Sequence, residues 1–112
     1  MDTLYTQEKF IQAVRTLTLG PGAMKSRLAE AHRRFFVLGP GDFPEQLRAD
    51  FEWICHKLTT KPVLRARYSD SVISSQVSQT LHFMKNKTAV KIAERIVALN
   101  ERLAELNDKN CQ

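Results

Sequence analysis

The residues best suited to chemistry are cations gathered near the last helical stretch. Lys85, Asn86, Lys87 and Thr88 open that stretch, and Lys91 and Arg95 continue it, so Lys87, Lys91 and Arg95 follow one another four residues apart. Like charges at that spacing cost about 0.2–0.5 kcal/mol per pair in a helix. Cations at a helix N-terminus also oppose the macrodipole, by about 0.3–1 kcal/mol each. Helix stability alone would place Asp or Glu there. An anion at that end reverses both penalties, because free N–H groups and Lys side chains converge on it. Lys85, Lys87, Thr88, Lys91 and Arg95, with Arg65 and Arg67 upstream, are therefore the expected anion- or partner-binding residues. The bland reading is a solvated surface, or an acidic segment of the same chain lying alongside.

Charge counted by segment leads to the same region. Residues 1–60 carry eight basic and seven acidic groups, residues 61–91 six and one, and residues 92–112 three and four. The stretch 61–91 thus holds a local excess of five, equal to the net charge of the 112-residue chain. Residues 25–34 are basic and residues 42–52 acidic, and these two consecutive segments are expected to neutralise each other in part.

Other chemistry is sparse. Arg27 and His32 have the Arg-x4-His spacing that resembles HEPN-type ribonucleases, themselves small helical bundles. The resemblance implies His32 as acid or base at a 2′-hydroxyl and Arg27 as the group steadying the phosphate. Residues five apart sit well away from each other around a helix, however. The expected role of His32 is a boundary residue beside a packed Phe35. His56 and His82 make no metal-ligand spacing with each other or with Cys55. No phosphate-cradling Gly motif or nucleophile elbow occurs. The expectation is a protein without catalytic activity, metal or cofactor.

Cys55 and Cys111 are too few and too far apart for a disulfide framework, and both read as free thiols. The first residues include Asp2 and Glu8 and lack an apolar run, unlike a secretory signal. No apolar stretch approaches the ~18 residues of a membrane span. The expected compartment is the cytoplasm.

The elements that must position these residues read as helices. Gly20-Pro21-Gly22 and Gly39-Pro40-Gly41 are stop signals, with Gly accepting φ > 0 at a C′ position and Pro unable to continue the ladder. Phe10, Ile11, Val14 and Leu17 form a face before the first stop, with Thr3 or Thr6 as cap. Met24, Leu28, Ala31, Phe35 and Leu38 form one between the stops. Asp42, Pro44 and Glu45 make a capping box for the stripe Phe43, Leu47, Phe51, Ile54 and Leu58.

Residues 59–69 lack periodicity. Ile73, Val77, Leu81 and Met84 fit a helical face capped by Ser69 or Asp70; a strand over the β-branched run is the lesser alternative, having no evident partner. Ile92, Ile96, Leu99, Leu103 and Leu106 form the strongest stripe, behind a Thr88 cap. Phe36, Phe83 and Trp53 lie off their stripes; Phe36 and Phe83 are expected to widen the core, with anchoring of a partner as the alternative, and Trp53 is equally suited to either.

The expected fold is all-α: a single domain over 1–112, a bundle of about five helices near 6–18, 23–38, 43–58, 71–85 and 88–107. The last stripe is expected to pack inside the bundle, a homodimer seam being the alternative. The expected function is a small binding or regulatory protein that meets an acidic protein surface through residues 61–95. The alternative is a nucleic-acid-binding regulator, with a helix-turn-helix drawn over 74–97 and Lys87 to Arg95 on the reading helix.

Overall fold

The computed structural model describes residues 3–65 and 72–110. The fold is all-α, with five helices around one core: α1 Thr3–Leu19, α2 Met24–Phe35, α3 Arg48–Leu58, α4 Gln76–Phe83 and α5 Asn86–Asn110. A small antiparallel ribbon joins α3 to α4, pairing β1, Leu64–Arg65, with β2, Val72–Ser74.

The core is made by the stripes. Phe10, Ala13 and Leu17 of α1 meet Leu28, Ala31 and Phe35 of α2, while Ile92, Ile96, Leu99 and Leu103 of α5 close the centre. Four phenylalanines form its densest part: Phe10 stacks on Phe35 at 5.0 Å and meets Phe43 edge-on at 5.4 Å, and Phe43 stacks on Phe51 at 4.4 Å. Such offset and edge-to-face pairs are favoured because each ring's positive edge finds a negative face. The last stripe is therefore interior, and in this chain it is no free seam.

Several boundaries differ from the sequence reading. Thr6 lies inside α1, fully buried, and donates its hydroxyl to the Asp42 carbonyl at 3.1 Å. It ties helix to turn instead of capping. Gly20 follows α1 and donates its N–H to Thr16 at 2.9 Å, but the positive φ, 87°, falls on Gly22. What Gly20 supplies is close approach, since a Cβ there would lie 2.4 Å from the Thr16 carbonyl oxygen.

Helix α2 ends three residues before the expected 38. The residue before a proline is pushed away from helical geometry, and the chain turns ahead of Gly39-Pro40, with Leu38 donating to the Phe35 carbonyl at 3.0 Å. Leu38 still enters the core, but Phe36 is left 63% exposed, against the expectation of burial.

The expected capping box does not form. The Asp42 carboxylate reaches back to the Gly39 N–H at 2.8 Å and closes a 3-10 turn over Pro40–Asp42. A second such turn, Glu45–Leu47, leads into α3. Phe43, Leu47, Phe51, Ile54 and Leu58 are nonetheless all buried.

The expected helix near 71–85 shortens to α4, because Val72–Ser74 find a strand partner in Leu64–Arg65. Ser75 caps α4, accepting from the Ser78 N–H at 3.1 Å; the caps expected at Ser69 or Asp70 lie outside the described residues. Helix α5 begins two residues before Thr88, since the Ala89 N–H already bonds the Lys85 carbonyl at 3.1 Å. Ala89 is fully buried, and placing it on the Ile92–Ile96 face requires helical backbone from Asn86.

Candidate functional site

The connection between α3 and α4 and the start of α5 enclose a basic cleft of about 450 Å³. Lys57 comes from the last turn of α3, Thr60 and Lys61 from the connection, Thr80 and Phe83 from α4, Met84 and Lys85 from the step between α4 and α5, and Thr88 from the first turn of α5. Three lysines and three threonines thus share one wall system, and among the described residues no carboxylate lines it.

Local bonds hold these pieces in place. The Thr59 hydroxyl donates to the Cys55 carbonyl at 2.7 Å and finishes α3. The Lys61 N–H donates to the Thr80 hydroxyl at 3.0 Å, pinning the connection to α4. The Lys61 ammonium stands 5.6 Å from the centre of the Phe83 ring, and His82 meets the same ring edge-on at 4.8 Å. Phe83 is 65% exposed, so the expectation that it joins the core is wrong. The cause is angular: Val77, Leu81 and Met84 make the inward stripe, and Phe83, two residues past Leu81, turns about 200° from it.

Helix α5 presents its N-terminus at this cleft through Thr88, with Lys85 just ahead of its first residue. The first N–H groups of a helix have no partner within it and carry a partial positive charge. Ammonium groups, hydroxyls and an exposed ring therefore face one volume, a combination that suits a carboxylate or phosphate carried beside an apolar group.

The expected site residues divide. Lys85 and Thr88 line the cleft, while Lys87 and Lys91 are exposed outside its lining. Arg95 belongs to the scaffold: it lies 3.5 Å from the Asp50 carboxylate, and its guanidinium sits 4.3 Å from the centre of the Trp53 ring. Arg102 bonds the same Asp50 carboxylate. Arg65 lies in β1, and Arg67 is outside the described residues. Lys57 and Thr60 lie outside the expected region 61–95, and Lys61, Thr80 and Phe83 fall within it without having been singled out as contacts. The one signal for them was that Lys61 opens the basic stretch.

The acidic residues of α3 also pair differently from expectation. Asp50 meets α5, whereas Glu30 of α2 pairs within its own helix, with Arg33 at 2.9 Å and Arg34 at 3.9 Å. Among the described residues no ion pair joins α2 to α3. Trp53 is half-buried, covered by Arg95, with the Lys57 ammonium 5.7 Å from its ring centre.

Arg27 and His32 do not converge. Arg27 donates to the Leu17 carbonyl at 3.3 Å, at the end of α1. His32 lines a different cleft, of about 500 Å³, with Phe36, Val63 and Ser75, and burial lowers its pKa. Burial, helped by Glu52, raises the pKa of the half-buried Cys55 thiol, which has no disulfide partner; Cys111 lies outside the described residues. Among the described residues no cluster of His, Cys, Asp and Glu could hold a metal ion, and no helix is long and apolar enough to cross a membrane. Family models, curated proteins and solved structures give no match to this chain.

Proposed function

We propose that the protein is a small non-catalytic regulator that binds an acidic segment of a partner protein in the basic cleft. The carrying observation is the cleft's lining: Lys57, Lys61 and Lys85 with Thr60, Thr80 and Thr88 around the exposed Phe83, and, among the described residues, no carboxylate. An Asp or Glu side chain finds cationic and hydroxyl donors there, and an adjacent apolar residue covers Phe83. The chemistry fits a reducing cytoplasm, where Cys55 stays a thiol.

A protein segment suits this cleft better than nucleic acid. Six to ten phosphate contacts along a duplex need an extended track of cations. Here Arg33 and Arg34 are paired with Glu30, and Arg95 and Arg102 with Asp50. The lysines that remain at the cleft serve a short ligand. Lys87 and Lys91 extend the positive surface along α5 and are the residues on which a nucleic-acid reading stands.

The test is fluorescence anisotropy with the full chain and two labelled probes, a Glu-rich peptide containing one Leu and a single-stranded oligothymidylate. The peptide is expected to bind with salt-sensitive affinity. Lys57→Glu with Lys61→Glu should weaken it at least about tenfold, equivalent to ~1.4 kcal/mol, and Phe83→Ala severalfold. Oligonucleotide binding that is tighter and insensitive to Lys57 and Lys61 would refute the reading. A pull-down from the source cells that yields protein only before nuclease treatment would refute it as well.

A further inference from the structure

We infer that the outward face of α5 is a homodimer seam, on which a second copy of the chain packs its own α5 antiparallel about a two-fold axis level with Ile96. This seam is distinct from the buried Ile92–Leu103 stripe, and it uses neither Lys57 nor Lys61, so it stands apart from the functional reading.

Helix α5 has three faces. One is the core stripe; a second carries Arg95 and Arg102 to α3; the third is turned outward. The outward face carries Lys87 and Lys91 near its start and Glu101 and Glu105 near its end, all exposed. Among the described residues none of these four forms an ion pair, whereas Asp50 and Glu30 each hold two arginines.

The start of α5 is wrong for an isolated helix. The macrodipole favours anions at the N-terminus, and α5 opens with cations and no acidic residue in its first turn, while the exposed Glu101 and Glu105 lie farther along. A second copy running antiparallel brings carboxylates to those cations. Lys87 and Glu105 are each nine residues from Ile96, and Lys91 and Glu101 are each five. A two-fold axis at that level therefore sets Lys87 opposite the second copy's Glu105 and Lys91 opposite its Glu101, with the two dipoles opposed. A closed pair of this kind is the isologous arrangement commonest among oligomers. Parallel pairing would set like charges together.

Apart from the exposed Glu94, the middle of the face carries small and apolar residues. Val97 and Ala98 flank the axis, and Val90 is 41% exposed. Beside them runs a groove of about 330 Å³ floored by Leu17, Met24 and Ala93. Glu94, two residues before Ile96, comes opposite Ala98 of the second copy, with that copy's own Glu94 one turn away.

Sedimentation equilibrium of the full chain at low salt tests the seam. The wild type is expected to approach twice its 12.8 kDa mass with rising concentration and to dissociate as salt is raised. Lys87→Glu with Lys91→Glu should leave a monomer, and so should Glu101→Lys with Glu105→Lys, each checked for helix content by circular dichroism. Mixing the two variants should restore a dimer, as should all four substitutions in one chain. A wild type that stays monomeric into the sub-millimolar range would overturn the inference. So would a dimer indifferent to the single-ended reversals, or reversals that fail to rescue each other.

Discussion

Arg95 separates a scaffold role from a binding role, and its removal gives the sharpest test of the way α3 and α5 are joined. Its guanidinium lies 4.3 Å from the Trp53 ring centre and 3.5 Å from the Asp50 carboxylate. At an exposed site a cation over an aromatic ring contributes about 0.5–1 kcal/mol. The ion pair adds about 0.2–1 kcal/mol at most, since Arg95 is 47% exposed and water screens it. Arg95→Ala is therefore expected to cost about 1–1.5 kcal/mol and to lower Tm by about 4–8 °C per kcal/mol.

Trp53 is the one tryptophan of the chain, so its fluorescence during urea unfolding reports the transition directly. Arg95→Lys should recover part of the loss, because an ammonium lacks the planar guanidinium that stacks. A double-mutant cycle with Trp53→Leu, followed by circular dichroism, should give a coupling of about 0.5–1 kcal/mol. If Arg95→Ala leaves stability within about 0.3 kcal/mol of wild type and instead abolishes binding to an acidic peptide, the assignment of Arg95 to the scaffold is wrong.

Two further outcomes follow from burial. Phe51→Ala should cost about 3–5 kcal/mol, because it opens a cavity among Phe10, Phe35 and Phe43, whereas Phe83→Ala should stay within about 0.5 kcal/mol; reversed magnitudes in urea unfolding would reject the observed placement. Burial holds the pKa of His32 below its unfolded value, so the unfolded chain binds the proton first and stability falls as pH drops through about 6.5 toward the lower folded value. His32→Gln should flatten that part of the stability–pH curve, and an unchanged slope in unfolding midpoints across it would show that His32 titrates as it does in the unfolded chain.

The sequence spoke most clearly where one rhythm ran unbroken. Leu28, Ala31 and Phe35, and Ile92, Ile96, Leu99 and Leu103, step by fours and threes, and all are buried. The stripe from Phe43 to Leu58 held although its first part is 3-10 turn and not α-helix, because Phe43 and Leu47 enter the core from either conformation. Pattern failed where the deciding partner was distant or short. Val72–Ser74 became a strand because Leu64–Arg65, two residues in an aperiodic stretch, came alongside. Phe36 and Phe83 were hydrophobic enough for the core, yet one stands in the turn forced ahead of Pro40 and the other on the back of a short helix. The basic cleft was only half legible, since Lys57 and Lys61 reach Lys85 through the packing of three separate segments.

The row Lys87, Lys91 and Arg95 shows why adjacency on a helix is a weaker guide than it looks. At 3.6 residues per turn, each step of four advances about 40° around the axis, so eight residues carry the row about 80°. That rotation takes Arg95 off the face of Lys87 and over to Asp50 and Trp53. Thr88 lies on nearly the same side as Arg95 but two turns earlier, and with Lys85, just ahead of the helix, it lines the cleft. The electrostatic cost that drew attention to the row therefore has no single remedy. Asp50 relieves it at Arg95 within the chain, and at the cleft the acidic segment proposed above would do so. At Lys87 and Lys91 no ion pair forms among the described residues: Glu94, three residues past Lys91, is the near carboxylate, and Glu101 and Glu105 lie too far along the same helix to reach them. Only a second helix laid against the first in the opposite sense brings those four charges together.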